Sequence, residues 1–174
     1  YLAKLMVGAN AKAMINTFFF DLNAIKAGAS RPQGAPKFNP QKVGVLGAGM
    51  MGAGIAYAQA SRGIASVLKD VSLEKAEAGR ALSAKLSQAR VAKGKLSAQD
   101  QSALLSRIAP TASAADLQGC DLIIEAVFEN RELKAQVTKE AEPMLAPGGF
   151  FASNTSTLPI SGLAMASAQP DKFI

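Results

Sequence analysis

The chain has 174 residues, which is enough for one well-packed domain but not comfortably for two. Hydrophobic residues make up 49% of the sequence, so burial can offset the loss of chain entropy and overall disorder is excluded. The formal net charge is +6. An excess of basic residues favours binding of nucleic acid or of phosphorylated small molecules. Because no nucleic-acid motif is present, we expect no nucleic-acid binding.

The cysteine and histidine content limits which metal sites, disulfides and catalytic bases the chain can form. Cys120 stands alone, which excludes an intrachain disulfide framework and a cysteine metal cluster. Histidine is absent, so the commonest metal ligand and the commonest general base are both missing, and we expect no metal. No charge-free stretch reaches the length of a membrane span and no signal-peptide pattern is present, which predicts a cytoplasmic protein. The chain begins at Tyr1 rather than Met, as an internal segment would.

The first 41 residues are predicted to be a linker helix followed by a connector. Apolar side chains fall near helical spacing over residues 1 to about 27, which predicts one helix. The run Phe18-Phe19-Phe20 is too apolar for a free surface helix, so it is expected to pack on another part of the parent protein or on this chain's own domain. The connector over residues 30–41 is identified by Pro32, Gly34, Pro36 and Pro40.

Strands and helices alternate from residue 42 onward. Short apolar strands are predicted over residues 42–46, 65–68, 108–111, 121–126 and 149–152. Helices are predicted over residues 50–61, 73–92 and 130–142, with further helices beginning at Ser97 and after Pro159. The long helix has its apolar positions at Leu82, Leu86 and Ala89. This alternation predicts an α/β fold of the Rossmann type over residues 42–174, with a doubly wound, mainly parallel sheet.

The strongest motif is the glycine-rich turn V-G-V-L-G-A-G-M-M-G-A-G over residues 43–54. It follows a predicted strand and opens a predicted helix, as a dinucleotide-binding G-x-G-x-x-G turn does. Gly47 allows the tight turn, Gly49 lets the backbone approach a pyrophosphate, and Gly52 lets the helix press on the sheet. The helix N-terminus offers unpaired N–H groups to the phosphates. The alternative is a glycine-rich packing turn without a ligand.

An acidic residue ends the second predicted strand. Asp70 lies eighteen residues after Gly52, where a carboxylate accepts hydrogen bonds from the hydroxyls of the adenine ribose. A carboxylate at this position disfavours a 2′-phosphate, so NAD is predicted in preference to NADP. The alternative role for Asp70 is to cap the helix that starts near Leu73.

Two further segments resemble those of one enzyme family. Residues 122–134, L-I-I-E-A-V-F-E-N-x-x-x-K, resemble the E-A-x-x-E-N-x-x-x-K stretch of 3-hydroxyacyl-CoA dehydrogenases, and residues 151–157 resemble that family's A-S-N-T-S segment. With the glycine turn and Asp70, these segments follow the family's order and spacing over residues 42–174. The N-terminal helix and connector resemble the segment that joins the enoyl-CoA hydratase part to the dehydrogenase part in multifunctional fatty-acid-oxidation proteins.

The resemblance implies that the chain is the NAD-binding part of an enzyme that oxidises (S)-3-hydroxyacyl-CoA to 3-ketoacyl-CoA in fatty acid β-oxidation. It implies that Glu129 and Lys134 hold the nicotinamide end of NAD and the substrate, and that the Ser156 hydroxyl bonds near the nicotinamide and the substrate oxygen. From the residues alone, the alternatives are an inconsequential surface pair of Glu129 with Lys134 and a helix-capping role for Ser156. The implied cofactor-binding set is Gly47, Gly49, Met51, Gly52, Asp70, Val127, Phe128, Glu129, Lys134 and Ser156.

The same resemblance implies that the chain is catalytically incomplete. The family's general base is a histidine in a G-x-H-F segment that would directly follow Ile174, and the C-terminal helical domain would lie further on. Ser156 is then the one catalytic residue within the chain, and the partners are acyl-CoA, the hydratase part and the C-terminal helical domain of the parent protein.

Several interpretations stay open on the sequence alone. Four basic residues are predicted to form one face of the long helix, directed either to solvent or to the phosphates of CoA; they are Lys85, Arg90, Lys93 and Lys95. Alternative functions are the NAD-binding domain of another hydroxy-acid dehydrogenase, a dinucleotide-binding module without turnover, and a scaffold segment that connects catalytic parts.

Overall fold

The computed structural model describes residues 1–34 and 37–174, so Pro36 of the predicted connector lies outside the described residues. The chain divides into two compact units, Tyr1–Asn39 and Pro40–Ile174. Within the described part of the chain, no helix combines the length and the apolar character that crossing a membrane requires.

The first unit contains several short helices instead of the single predicted helix. They are α1 (Leu2–Met6), α2 (Ala9–Ile15), a π-helical turn (Asn16–Asp21) and α3 (Leu22–Lys26). Gly8 separates α1 from α2 with an extended backbone, because glycine gives up the most conformational freedom in a helix. The three side chains Phe18, Phe19 and Phe20 are exposed, and the rings of the last two meet edge to face at 5.3 Å.

The second unit is built on a five-stranded parallel sheet, which confirms the predicted Rossmann-type fold. Its strands are β1 (Lys42–Leu46), β2 (Ala65–Lys69), β3 (Ile108–Thr111), β4 (Cys120–Glu125) and β5 (Leu145–Ser153). Their order is β3-β2-β1-β4-β5, and every neighbouring pair is parallel. The chain therefore moves outward from β1 in one direction, then returns and moves outward in the other. The crevice beside β1 is where open sheets of this kind bind ligands.

Strand β5 is longer than the pattern over residues 149–152 predicts. Cys120 pairs with Leu145, and a register shift separates this pair from the regular ladder that follows. Pro147 and Gly148 lie within the shifted part, and Gly148 has a φ of +83°. Because proline and glycine are signals of turns, the sequence pattern reveals only the regular end of the strand.

Helices connect the strands, and polar side chains cap three of the α-helices in the described residues. They are α4 (Met50–Ala60), α5 (Leu73–Ala92), α6 (Ala98–Ser106), α7 (Arg131–Ala141) and α8 (Ile160–Ala164), with short 3₁₀ turns at Ala114–Leu117, Glu142–Met144 and Pro170–Lys172. The predicted start at Ser97 is confirmed, since its Oγ accepts a hydrogen bond from the Asp100 N–H at 3.0 Å. Asn130 caps α7 in the same way, through a bond from Leu133 N–H at 2.8 Å. These caps fix where each helix leaves the sheet edge.

The sheet is covered on both faces. Neighbouring residues of a strand point in opposite directions, and Val45 and Leu46 of β1 belong to different core clusters. Val45 lies in the cluster that contains Ala56 of α4, while Leu46 lies in the cluster that contains Ala141 of α7. The second cluster also includes Cys120, and burial raises the pKa of its thiol to about 11, so this cysteine packs as a neutral side chain.

Helix α5 does not bury the apolar positions that the sequence identifies. Leu82, Leu86 and Ala89 are exposed. The buried positions are Ala76, Gly79, Ser83 and Ser87. Ser83 donates a hydrogen bond to the Ala53 carbonyl oxygen at 3.3 Å, so a polar group lies in the contact with α4 without being left unpaired. Small side chains, rather than large apolar ones, therefore form the inner face of this helix.

The predicted basic set does not form one helix face. Lys85 and Arg90 lie on α5, whereas Lys93 and Lys95 follow its end, and all four are exposed. Arg90 Nη1 donates to the Tyr57 hydroxyl at 3.2 Å. This contact holds the guanidinium against α4, so it is not a freely extended surface charge.

Candidate functional site

The glycine turn between β1 and α4 has the geometry that the motif predicts. Gly47 has a φ of +91°, and a Cβ there would lie 2.7 Å from the Ala126 carbonyl oxygen. A Cβ on Gly52 would lie 1.8 Å from the Gly47 carbonyl oxygen. Both glycines are therefore required for the strand, the turn and the helix to pack this closely.

Gly49 differs from the two packed glycines. It is the N-cap residue of α4, and a Cβ built on it would meet no protein atom within 4 Å. Packing inside the chain does not explain a glycine at an open position. Open space in front of a helix N-terminus is what a phosphate group needs in order to approach the unpaired N–H groups.

A cavity of about 580 Å³ opens beside this turn at the carboxyl ends of β1, β2 and β4. Its walls come from the turn, from Lys69–Val71 at the end of β2, from Ala126–Phe128 after β4, and from helices α5 and α7. This volume is in the range of sites for small molecules and cofactors. The cavity lies at the point where the strand order reverses, which is the ligand-binding position of this fold.

Asp70 connects the end of β2 to the glycine turn. Its Oδ2 accepts a hydrogen bond from Ala48 N–H at 2.7 Å, and its Oδ1 accepts one from Val71 N–H at 2.7 Å. Helix α5 is capped by Ser72, whose Oγ accepts from Lys75 N–H at 3.3 Å, so the alternative that Asp70 caps this helix is wrong. Asp70 lines the cavity with its carboxylate already oriented by two backbone groups.

Lys134 is buried, although its spacing from Glu129 also fits a surface pair. It is 1% exposed, and its Nζ lies 2.8 and 3.0 Å from the two carboxylate oxygens of Glu125. The same Nζ lies 3.3 Å from Glu129 Oε2. The surface-pair alternative is therefore wrong: the lysine bridges two carboxylates, one beneath it and one at the surface.

Glu125 is the residue of this site that sequence reasoning missed. It is 0% exposed and ends β4. Besides the two contacts with Lys134, its carboxylate accepts hydrogen bonds from the Ser153 hydroxyl and from Val127 N–H at 3.3 Å. A buried carboxylate is tolerated only when a cation and hydrogen-bond donors surround it. The available signal was a glutamate directly after the apolar run Leu122-Ile123-Ile124, with a lysine nine residues later.

Glu129 carries a stabilised negative charge at the surface. The Thr155 and Thr157 hydroxyls donate to its Oε1, and Lys134 adds a smaller contribution. Chiefly through the Thr155 hydrogen bond, these contacts lower the pKa of Glu129 to about 2. Glu129 is therefore ionised throughout the neutral range and is a weak proton acceptor.

Ser156 lies between the two threonines and is exposed. The N-cap position of α8 is Pro159, with no side-chain cap, so the helix-capping alternative for Ser156 is wrong. The local turn is closed by Thr155 instead, whose Oγ1 accepts from Leu158 N–H at 3.1 Å. The Ser156 side chain therefore lies at the surface without a capping function.

The structure separates the ten predicted binding residues into three groups. Six of them line the cavity: Gly47, Gly49, Met51, Asp70, Val127 and Phe128. Phe128 is 87% exposed at its edge. Gly52 lies under the turn as a packing residue. Glu129 directly follows Phe128 of the cavity wall and is paired with Lys134, and Ser156 lies between the two threonines that donate to Glu129.

The parallel sheet, the glycine turn and the acidic residue after β2 together define a dinucleotide-binding α/β domain. A family model described as the NAD binding domain of 3-hydroxyacyl-CoA dehydrogenase matches residues 42–174. The chain belongs to this family, which confirms the resemblance seen in the sequence and the prediction of NAD as the cofactor of the domain.

The names of similar curated proteins agree with this family assignment. The chain is 36% identical to the fatty acid oxidation complex subunit alpha of Psychrobacter arcticus over 172 residues, which are 99% of this chain and 24% of that protein. The subunit of the same name from Psychrobacter cryohalolentis gives the same identity and coverage. The chain thus spans about a quarter of the length of the curated relatives it matches.

Solved structures show the same fold. The (S)-3-hydroxybutyryl-CoA dehydrogenase of Ralstonia eutropha superimposes with a TM-score of 0.75 at 36% identity, covering 78% of this chain and 48% of that one. The 3-hydroxybutyryl-CoA dehydrogenase of Escherichia coli K12 gives a TM-score of 0.74 at 32% identity, covering 78% of this chain and 29% of that one.

Proposed function

We propose that the chain is the NAD-binding part of an enzyme that oxidises (S)-3-hydroxyacyl-CoA to 3-ketoacyl-CoA in fatty acid β-oxidation. The observation that carries this proposal is the open Gly49 position facing a cavity of about 580 Å³ in a chain of this family. When bound, NAD supplies the hydride acceptor for the reaction. The chain's own residues bind and orient the reacting groups and balance their charges.

The phosphate-binding role falls to the turn and to α4. The N-terminal N–H groups of α4 and the backbone at Gly47 and Gly49 provide hydrogen-bond donors and partial positive charge for a pyrophosphate. Asp70 then accepts hydrogen bonds from the ribose hydroxyls, since its carboxylate lines the same cavity. Met51, Val127 and Phe128 supply apolar surface at the cavity wall for the flat rings of the cofactor.

The cluster beside the cavity provides polar groups for the reacting end. Glu129 keeps its negative charge at neutral pH and offers carboxylate oxygens to ligand hydroxyl or amide groups. Ser156 presents an exposed hydroxyl a short distance along the chain from the two threonines that hold Glu129. In this proposal Ser156 hydrogen-bonds to the substrate oxygen, and Lys134 balances the charge of the cluster.

The rest of the reaction is assigned to other parts of a longer protein. The proposed partners are acyl-CoA, a hydratase part and a C-terminal helical domain, in keeping with relatives about four times as long as this chain. A histidine base is assigned to that remainder, because this chain contains none. A cytoplasmic location is part of the same proposal.

Cofactor selectivity tests the assignment of Asp70. We expect NAD(H) to bind more tightly than NADP(H), because a 2′-phosphate beside this carboxylate costs about 1–3 kcal/mol at an intermediate effective dielectric. Asp70→Asn keeps an oxygen acceptor for Ala48 N–H but removes the charge, so it should reduce the discrimination. Calorimetry with both cofactors measures the difference.

The matched control is Asp121→Asn at the opposite edge of the sheet. Asp121 also accepts two backbone N–H bonds, from Gln41 and Lys42, but at the amino end of β4. This variant should leave the preference for NAD unchanged. Equal affinities of the wild-type chain for the two cofactors would remove the role given to Asp70.

A further inference from the structure

The buried carboxylate of Glu125 occupies the junction of three elements. It ends β4, its two oxygens bind the Lys134 ammonium of α7, and it accepts a hydrogen bond from the hydroxyl of Ser153, the last residue of β5. Its own carbonyl oxygen accepts from Asn154 N–H at 2.8 Å. One residue therefore ties both of the loops that carry Glu129 and Ser156.

The ammonium of Lys134 is fully used inside the protein. An ammonium has three protons, and three carboxylate oxygens surround this one, at 2.8 and 3.0 Å from Glu125 and at 3.3 Å from Glu129. Only 2% of the lysine side chain is exposed, compared with 37% of the Glu129 side chain. Glu129 therefore lies between Lys134 and solvent, and the lysine influences a ligand through it.

We propose that Glu125 is a positioning residue for the nicotinamide end of the cofactor site. Its carboxylate fixes the Lys134 ammonium, which orients Glu129, and it accepts the Ser153 hydroxyl bond that fixes the start of the segment that carries Ser156. In the proposed function the adenosine and pyrophosphate end rests on the N-terminus of α4 and on Asp70, whereas the Glu125 carboxylate bonds to Lys134, Ser153 and Val127. This inference rests on the proposed function, because it assumes that the site binds a nicotinamide dinucleotide.

The test compares two ligands that share the adenosine end. NADH and ADP-ribose both carry the adenosine diphosphate ribose, but only NADH carries the nicotinamide. The variant Glu125→Gln keeps the shape of the side chain and removes its charge, leaving the Lys134 ammonium with a weaker partner. By calorimetry on the full chain, we expect it to weaken NADH binding about tenfold and to change ADP-ribose binding less than about twofold.

Glu142→Gln is the matched control for losing a buried carboxylate. Glu142 is also buried, and it also accepts from a serine hydroxyl and a backbone N–H, those of Ser167 and Ala168. It follows the last residue of α7, and its carboxylate bonds to Ser167 and Ala168 rather than to Glu125, Glu129 or Lys134. Its replacement should lower the midpoint of thermal unfolding without changing the ratio of NADH to ADP-ribose affinity.

A second variant keeps the inference testable if Glu125→Gln does not fold. Ser153→Ala removes one hydrogen bond to Glu125 and leaves the charge pair with Lys134 intact. It should shift the affinity ratio in the same direction by a smaller factor, about threefold.

The possible results separate this inference from the proposed function. An unchanged ratio in both variants, or a parallel loss of both ligands, would show that Glu125 acts only in the fold and would overturn the positioning role. If the wild-type chain binds neither NADH nor ADP-ribose, the proposed function fails, and the positioning role fails with it.

Discussion

At the scale of single residues, the charge of Glu129 depends on two neighbouring hydroxyls. The Thr155 hydroxyl makes the largest contribution, and that of Thr157 the next. Thr155→Val should therefore raise the pKa of Glu129 from about 2 toward its ordinary value of 4.5. An NMR titration that follows the glutamate side-chain carboxyl carbons measures this change.

The sign of the associated stability change follows from the lowered pKa. The ionised carboxylate stabilises the folded state fully above pH 4.5, and this contribution is lost as the pH falls through about 2. Thr138→Val is the control, because that hydroxyl bonds the Lys134 carbonyl oxygen and makes no bond to Glu129. A wild-type titration of Glu129 near 4.5 would contradict its hydrogen bonds from Thr155 and Thr157.

Gly49 and Gly52 should respond in opposite ways to an added side chain. Gly49→Val places its side chain in open space, so the fold should persist while cofactor binding is lost, because the branched side chain blocks the phosphate position. Gly52→Ala forces a Cβ to within 1.8 Å of the Gly47 carbonyl oxygen, so the fold itself should be destabilised. Thermal unfolding together with NADH titration separates the two effects. Normal NADH binding by a folded Gly49→Val chain would show that the turn does not bind phosphate.

At the scale of elements, the inner face of α5 gives a prediction of its own. A Cβ on Gly79 would lie 2.6 Å from the Ala48 carbonyl oxygen and 2.7 Å from the Ala48 Cβ. Gly79→Ala should therefore destabilise the chain by about 1–3 kcal/mol, even though alanine is the better helix former. Leu82→Gln, on the outer face, should change stability by less than about 0.5 kcal/mol.

Urea unfolding of the two variants measures this difference. The absence of a side chain at Gly79 lets α5 pack closely against Ala48 of the glycine turn. A Gly79→Ala chain as stable as the wild type would contradict this close packing. A large loss with Leu82→Gln would instead show that the leucine face of α5 is packed.

The same helix shows what the sequence pattern could and could not predict. Strand and helix alternation correctly predicted the parallel sheet, because short apolar strands next to glycine and proline are distinctive. The inner face of α5 was missed because Gly79, Ser83 and Ser87 bring no apolar signal, although small side chains allow the closest helix contact. Hydrophobic spacing identifies where large side chains recur, and that is not always the buried face.

The candidate site likewise contains residues that the sequence could predict and residues that it could not. The glycine turn and Asp70 were predictable, because steric and charge requirements at these positions depend on local spacing. The burial of Lys134 and Glu125 was not predictable, since it depends on Ser153 of β5, which lies 28 residues after Glu125 in the sequence. Contacts that are remote in sequence decide whether a charged pair lies at the surface or in the interior.

At the scale of the whole molecule, the cofactor functions are concentrated in one of the two units. All residues that line the cavity fall between Leu46 and Ala141, inside the unit Pro40–Ile174 and inside the matched range 42–174. The cofactor site is thus formed at one edge of the sheet, where the parallel strands end. Turnover makes a further demand, because it needs a base that removes the hydroxyl proton of the substrate as hydride leaves C3.

Neither Glu129 nor Glu125 is well suited to act as that base. Glu129 has a pKa of about 2, so it binds a proton only in strong acid. Glu125 is buried and already accepts bonds from Lys134, Ser153 and Val127. Histidine, whose ordinary pKa lies near neutrality, is absent from the chain.

We therefore expect the 174-residue chain to bind NADH without turning over 3-hydroxyacyl-CoA. A positioned base contributes on the order of 10²–10⁴-fold to the rate, and in the proposed function the C-terminal helical domain would orient the acyl chain toward the cofactor. The measurement is the oxidation of NADH with acetoacetyl-CoA, followed by absorbance, for this chain and for a longer chain that includes a histidine-bearing segment and a helical domain. Comparable rates for the two chains would show that a base lies within residues 42–174, and Glu129→Gln would be the first variant to test for it.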